Sequence, residues 1–372
     1  MIQVFRPVLD TEAIIPEIKK ALESGWIGLG PKVAEFEEVI VEEIVADEDD
    51  GELYCCALNS CTAALHLAVK SLNLPPNSLI ATTPITFVST NHAILYEGHI
   101  PVFCDVEPRT GNIDANSLLQ AIKEYKISAI MVVHIGGYPC DMEKINQIAA
   151  DAGIPVIEDC AHAFGAWYDD DFMVGDSCNT CCFSFHAVKN LPVGDGGAIT
   201  SRNKELIDWC KKQRWLGIDK DTVSRSQNGY AWEYEVEDVG FKYHMSDIAA
   251  IIGLNQLNRI WEHNNVREAI AARYRKEMSL NVGRPRYFKS RKSSYHFYPM
   301  FFENRDEVYK KYVDNGVYCG MHYKMNTRYK PYENCPKMDL SGAEEYERTE
   351  LTLPLHLGLT TKDIDFITSI EI

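Results

Sequence analysis

From residue 54 to 201 short apolar runs alternate with amphipathic stretches, and no other feature of the chain restricts its fold as strongly. Apolar runs of four or five residues read as strands, and segments with apolar residues three and four apart read as helices. The alternation predicts a βα series and a mostly parallel sheet. Strands are expected at Leu79-Ile80-Ala81-Thr82, Pro101-Val102-Phe103-Cys104, Ala129-Ile130-Met131-Val132-Val133 and Pro155-Val156-Ile157-Glu158. Helices are expected at Ala115 to Tyr125 and Met142 to Ala152. Ligands on such sheets gather at the carboxyl ends of strands, where His134 and Asp159 fall.

The flanks add helices and a second unit. Ile14, Ile15, Ile18 and Leu22 share one helical face, as do Val33, Phe36, Ile40 and Ile44. Between them Ser24 to Pro31 must be a loop. Its three glycines around Trp26 suit a surface that something packs against, and a plain helix stop accounts for Gly25 equally well. Beyond the aromatic, charged segment Tyr230 to Tyr243, a long helical stretch (Ser246 to Glu262, then Val266 to Met278) leads into a region with a strand at His296 to Phe302 and a helix at Arg305 to Asn315. The expected division is an N-terminal arm plus large α/β domain over 1–255 and a small α+β domain over 256–372.

Charge and cysteines exclude several classes. The formal charge of −17, from 37 Lys plus Arg against 54 Asp plus Glu, argues against a sequence-independent nucleic-acid binder, which needs a basic face. No run approaches the roughly 20 apolar residues that cross a bilayer, and the N-terminus lacks a basic then apolar leader. The expectation is a soluble, cytoplasmic protein. Its 12 cysteines show no paired framework, so reduced thiols are expected. Cys178, Cys181 and Cys182 have no second pair at a metal-ligand spacing, so Cys181 and Cys182 read as small apolar strand residues and no metal is expected.

Lys189 follows a strand-like run, Phe183-Ser184-Phe185-His186, and precedes a glycine turn, Gly194-Asp195-Gly196-Gly197, a setting suited to Schiff-base chemistry. Thirty residues upstream Asp159 and His162 follow another strand pattern. Ser60-Cys61-Thr62 opens a good helix former, whose free N–H groups and positive dipole end would face an anion; simple capping is the competing account. Phe87 could lie over a flat ring while Thr86 starts a helix, and Ser184 alternates away from Phe183 and Phe185 toward a phosphate oxygen. A phosphate turn, a ring stacker, a carboxylate and a lysine in this order fit pyridoxal 5'-phosphate, in its aldehyde (PLP) and amine (PMP) forms.

The chain resembles the DegT/DnrJ/EryC1/StrS family of sugar aminotransferases nearly end to end. The likeness lies in Gly25-Trp26-Ile27-x-x-Gly30-Pro31, Asn59-Ser60-Cys61-Thr62-Ala63-Ala64-Leu65-His66-Leu67, Thr86-Phe87-Val88-Ser89-Thr90, His134 to Met142, Glu158-Asp159-Cys160-Ala161-His162-Ala163-Phe164-Gly165-Ala166 and Leu353-Pro354-Leu355-His356. It implies an aspartate-aminotransferase-like transferase of fold type I that aminates a keto group of a nucleoside-diphosphate hexose, with L-glutamate as donor. It further implies that Lys189 carries the cofactor and shuttles the proton, Asp159 pairs with the ring nitrogen and His162 sits beside the ring. Phe87 would cover its face, and Ser60, Cys61, Thr62 and Ser184 would hold the phosphate.

Active sites in this family are shared across a homodimer. The motif Gly240 to Met245 would then lend a polar residue to the partner's phosphate, His244 in preference to Lys242, with Lys242, Trp26, His322 and Tyr323 toward the substrate. This chain departs from the family at Lys242, where many relatives carry Asn, and at Pro192-Val193 in place of Thr-Thr. A 4-keto-6-deoxy sugar is expected, as part of surface polysaccharide, lipopolysaccharide or glycoconjugate synthesis; a 3-keto sugar is the alternative.

Competing functions make distinct demands. The dehydratase branch of the family replaces the lysine with histidine, and Lys189 argues against it. A dinucleotide oxidoreductase would need its glycine motif between a strand and a helix, whereas Gly25 to Gly30 follows a helix. A noncatalytic regulatory protein of the same fold would have no need of the lysine and the aspartate. His66 reads as structural, and Arg214 and Arg225 as a diphosphate counter-charge or as solvated surface.

Overall fold

The structure is a computed structural model that describes residues 1–45, 51–169, 172–219, 234–279 and 282–372. Seven strands form one sheet: β1 (Tyr54–Leu58), β2 (Leu79–Thr82), β3 (Ile100–Phe103), β4 (Ile127–Val133), β5 (Val156–Asp159), β6 (Thr180–Ser184) and β7 (Gly197–Ser201). Their order is β1-β7-β6-β5-β4-β2-β3. Only β7 runs against its neighbours, β1 and β6, so the other six strands share one direction. The expected mostly parallel α/β sheet is therefore present, and its four proposed strands lie within two residues of the observed ones.

Helices α1 (Thr11–Ser24), α2 (Pro31–Ile44), α3 (Cys61–Ser71), α4 (Val88–Tyr96), α5 (Ala115–Glu124), α6 (Met142–Ala152) and α7 (Lys204–Gln213) surround the sheet. The stripe on α2 is buried as expected, with Val33, Phe36, Ile40 and Ile44 in the core. On α1 the buried residues are Ile14 and Ala21, whereas Ile15 and Leu22 stay 62% and 59% exposed. One apolar stripe thus faces the core and another faces outward.

Two expected boundaries move, each for a tertiary reason. The long helical stretch breaks at Asn258 and Arg259, giving helices Asp247–Leu257 and Ile260–Glu277. The polar run His263-Asn264-Asn265 continues the second helix because Asn264 is buried and tied down, accepting from Asn190 Nδ2 at 2.8 Å and donating to the Phe164 carbonyl at 3.3 Å. The strand expected at His296 instead begins at Pro299. Ser294 and His296 give their N–H groups to the carbonyls of Gly137 and Gly136, and Tyr295 lies at a φ of 51°. The chain bends there before β8 (Pro299–Phe301) pairs with β9 (Glu350–Thr352).

This second, antiparallel pair has its own core, built from Tyr274, Tyr298, Met300, Tyr312, Leu351 and Leu353 under the helices Ile260–Glu277, Arg305–Asp314 and Thr361–Ser369. The first residues join it: the Ile2 N–H bonds to the Gly316 carbonyl at 2.8 Å, and the Leu355 N–H to the Val4 carbonyl at 3.1 Å. Phe5 is thereby carried to the seam between this unit and the seven-stranded sheet.

Candidate active site

A cavity of about 430 Å³ opens at the carboxyl ends of β4, β5 and β6. That size suits a small-molecule site, typically about 300–1,000 Å³. Its floor is Asp159, the last residue of β5 and 3% exposed. One carboxylate oxygen accepts the Thr90 hydroxyl at 2.7 Å and the other the Ala161 N–H at 3.0 Å. Burial pushes this carboxyl above its usual range, with Thr90, Ala161 and the charge of Lys189 opposing. A buried carboxylate of this kind is relieved by a cation placed in the cavity.

Lys189 sits in the loop after β6, its N–H bonded to the His186 carbonyl at 2.9 Å. Burial lowers its ammonium to about 8, with Asp159 opposing. A substantial fraction is then a neutral amine near pH 8, as nucleophilic attack requires.

Ser60 caps α3, its hydroxyl accepting the Ala63 N–H at 3.1 Å. The N–H groups of Cys61 and Thr62, in the first turn, have no acceptor among the described residues and face the cavity with the helix dipole behind them. Close packing holds this turn against the sheet. A Cβ on Gly197 would lie 2.5 Å from both the Cys61 nitrogen and the Ser60 carbonyl carbon, so only glycine fits there. Ser184, at the end of β6, lines the same cavity.

His162 is buried, and its neutral imidazole is favoured first by burial and then by the charge of Lys189. Its Nε2 meets the Tyr323 hydroxyl at 3.0 Å, and its ring stacks on His296 with centroids 4.6 Å apart. Phe5 in turn stacks on His296 at 5.2 Å. Phe87, 58% exposed, stands at the rim 6.3 Å from the Tyr323 ring. Thr86 does not start the helix, however. α4 begins at Val88 with Phe87 as its cap, and the Thr86 hydroxyl bonds to that of Thr90 at 2.7 Å.

The structure thus brings Ser60, Cys61, Thr62, Phe87, Asp159, His162, Ser184, Lys189, His322 and Tyr323 to one cavity. It leaves three expected residues outside. Trp26 lies in the loop between α1 and α2, and Lys242 and His244 both pack on Trp215, Lys242 Nζ 3.4 Å from the ring centre and His244 edge-on at 4.6 Å. None of the three lines this chain's cavity.

Thr90, His296 and Phe5 were missed. Thr90 stands four residues after Thr86, a spacing that could have marked it; nothing local in the sequence places His296 or Phe5. His134, beyond β4, turns away to Glu158 at 2.9 Å, and His66 bonds Glu97 and Tyr243, a structural role as expected. Arg214 is no diphosphate ligand: 5% exposed, it pairs with Glu37 and donates to the Ala57 carbonyl at 2.7 Å. Arg225 lies outside the described residues. One group with metal-ligand atoms occurs among the described residues, His134, Glu158 and Cys160. Glu158 there already accepts from Tyr168, Ser177 and Asn179, and His134 from the Cys140 N–H.

Residues 9–370 match the model of the DegT/DnrJ/EryC1/StrS aminotransferase family. The chain belongs to this family. It is 34% identical over 367 residues to the UDP-4-amino-4,6-dideoxy-N-acetyl-beta-L-altrosamine transaminase of Campylobacter jejuni, covering 95% of this chain and 92% of that one. It is 33% identical to the spore coat polysaccharide biosynthesis protein SpsC of Bacillus subtilis, over 96% of this chain and 93% of the relative. Among solved structures, the sugar aminotransferase CalS13 of Micromonospora echinospora superimposes with a TM-score of 0.89 at 27% identity, covering 100% of this chain and 99% of that one.

As a member of the DegT/DnrJ/EryC1/StrS family the protein is a PLP-dependent sugar aminotransferase of fold type I. The residues that line the cavity fit that cofactor: open N–H donors for a phosphate, a buried carboxylate that calls for a cationic partner, and an amine with a depressed pKa.

Proposed function

We propose that this sugar aminotransferase converts the C4 keto group of a nucleoside-diphosphate 4-keto-6-deoxy sugar to an amine, with L-glutamate as donor. The observation that carries the proposal is the meeting of Lys189, Asp159 and the α3 N-terminus in one cavity. The named activity of the Campylobacter relative supports the C4 position.

In the proposed mechanism PLP supplies an electron sink that stabilises negative charge on the carbon losing its proton. The protein positions and protonates. The Cys61 and Thr62 N–H groups, with the Ser184 hydroxyl, would hold the phosphate; the Thr62 hydroxyl donates to that of Ser89 at 2.9 Å and would have to turn to join them. Asp159, whose charged form Thr90 and the Ala161 N–H favour against burial, would pair with the ring nitrogen, and His162 and Phe87 would bound the ring. Lys189 would hold the cofactor through Nζ and, as a neutral amine, would take up and return the proton moved at the reacting carbon.

The wider proposal is a cytoplasmic homodimer whose protomers each divide into the units 1–255 and 256–372, a boundary that falls in the last turn of the helix Asp247–Leu257, just before the break at Asn258 and Arg259. His244 and Lys242 then serve the partner's cavity and Trp26 its substrate, since none of the three reaches this chain's own. The outward stripe on α1, Ile15 and Leu22, and exposed Ile27 and Val239 offer the apolar surface for association. No helix among the described residues is long and apolar enough to cross a membrane. The product enters polysaccharide, lipopolysaccharide or glycoconjugate synthesis.

The test is turnover with glutamate against a panel of 4-keto and 3-keto nucleotide sugars, together with borohydride reduction and peptide mapping. Amination at C4 and a label on Lys189 are expected. Amination only at C3 would move the substrate assignment, and a label elsewhere, or full activity in Lys189→Ala, would overturn the mechanism.

A further inference from the structure

At the wall of the cavity formed by the second unit, His322 is held by a three-group chain that the reaction described above does not use. Glu350 and Thr352 lie two residues apart in β9 and so point from the same face of the strand. The Glu350 carboxylate accepts the His322 backbone N–H at 2.8 Å and the Thr352 hydroxyl at 2.6 Å. The Thr352 hydroxyl oxygen also meets His322 Nδ1 at 2.9 Å. Phe297, stacked at 4.8 Å, keeps the imidazole plane in place. His322 Nε2 has no partner among the described residues, and the residue lines the cavity.

We propose that Glu350 and Thr352 are positioning residues that decide which nitrogen of His322 carries the proton, and hence whether the ring offers the substrate a hydrogen-bond donor or an acceptor. The argument rests on Thr352 having a single hydroxyl hydrogen. With Glu350 ionised, that hydrogen goes to the carboxylate, so Nδ1 must carry a proton to donate to Thr352, and Nε2 is left an acceptor. With Glu350 protonated, the carboxyl donates to Thr352, Thr352 donates to Nδ1, and the ring proton resides on Nε2. The His322 ring itself stays neutral, since burial and then the charge of Lys189 hold it down at about 3.

Glu350 is poised between these states. It is 2% exposed and has no ion pair among the described residues; burial pushes its carboxyl up to about 8. The groups facing it are the His322 N–H, the Thr352 hydroxyl, Arg305 from its helix, and Cys319, Tyr323 and Tyr346. Arg305 favours ionisation from a distance, its guanidinium donating to the Glu350 backbone carbonyl at 3.2 Å and not to the carboxylate. Below about pH 8 Nε2–H then donates to an oxygen of the bound keto sugar, and above it that donor is lost. This inference rests on the sugar-aminotransferase reading for the ligand, while the chain of hydrogen bonds stands apart from it.

Two variants separate the outcomes. In Glu350→Gln the amide oxygen accepts the His322 N–H and the amide NH₂ donates to Thr352, which locks the proton on Nε2 at every pH. Thr352→Val keeps a β-branched strand residue and removes the relay. Nitrogen-15 spectra of histidine-labelled protein with its cofactor, assigned through His322→Asn, should show the ring proton of the parent moving from Nε2 to Nδ1 between pH 6.5 and 9.5. It should stay on Nε2 in Glu350→Gln and cease to respond in Thr352→Val. The ratio of kcat/KM in Glu350→Gln to that of the parent should rise about tenfold by one unit above the carboxyl's value of about 8. A parent pattern that does not change with pH, or a Glu350→Gln pattern that follows the parent's, overturns the relay. Failure of every keto sugar to turn over would sink the enzymatic reading and leave the spectra to decide the relay alone.

Discussion

Removing the hydroxyl of Thr90 should weaken the site through Asp159. The Thr90 hydroxyl has three neighbours, the Asp159 carboxylate at 2.7 Å, the Thr86 hydroxyl at 2.7 Å and the Phe87 carbonyl at 3.2 Å, yet only one hydrogen to give. The charged acceptor takes it, and Thr86 then donates to Thr90 in a two-link chain that ends on the carboxylate. Thr90→Val preserves shape and deletes one charge-assisted hydrogen bond at a buried carboxylate, worth about 1.5–3 kcal/mol. Without it the Asp159 carboxyl should be pushed further up, because burial is then opposed mainly by the Ala161 N–H and the charge of Lys189. Where the carboxyl of the empty site takes up a proton, the Thr90 bond stabilises only the charged form that pairs with the ring nitrogen, so PLP affinity should drop by up to the same energy, roughly 10- to 100-fold. Titration of cofactor-free protein with PLP, followed by absorbance, measures this directly. Thr90→Ser should keep most of the affinity. Binding by Thr90→Val within twofold of the parent would refute the role given to this hydrogen bond.

Other perturbations test separate parts of the structure. Lys189 titrates at about 8, so the rate of covalent PLP attachment should rise close to tenfold per unit below that pH and level off above it; a rate flat from pH 6 to 9 would contradict the depressed value. Gly197→Ala places a methyl 2.5 Å from the Cys61 nitrogen and should lower the melting temperature together with phosphate-dependent cofactor retention, by about 1–3 kcal/mol in stability. Arg214→Met leaves the buried Glu37 with Lys211 at 2.8 Å as its remaining ion-pair partner, and unfolding in urea should show a loss of about 3 kcal/mol with little change in cofactor affinity. Were Arg214 a diphosphate ligand, the KM for the nucleotide sugar would rise with stability unchanged.

Much of this protein could be read in order along the chain. Local rules governed the helices Ala115–Glu124 and Met142–Ala152, which run to within one residue of expectation because caps and apolar spacing act over three or four residues. The site residues Lys189, Asp159, Cys61 and Ser184 were visible for a related reason: each follows an apolar run that had to be a strand or opens a helix, and parallel strands end on one side. Their types and order were enough to name a cofactor.

What had to wait for the folded chain were relations between segments far apart in sequence. Phe5 and His296 reach the cavity from the N-terminal residues and the second unit, and Glu350 stands behind His322; no periodicity records which loops meet across a seam. The polar run at His263 to Asn265 continues a helix only because Asn190 and Phe164 supply its partners. Arg214 looked like a surface cation until Glu37, 177 positions away, proved to be buried beside it. Short-range patterning determines secondary structure and the direction of a sheet, because those depend on neighbours a few bonds apart. The protonation states of Lys189, Asp159 and Glu350 depend on how much water the whole fold excludes, which only the assembled tertiary structure decides.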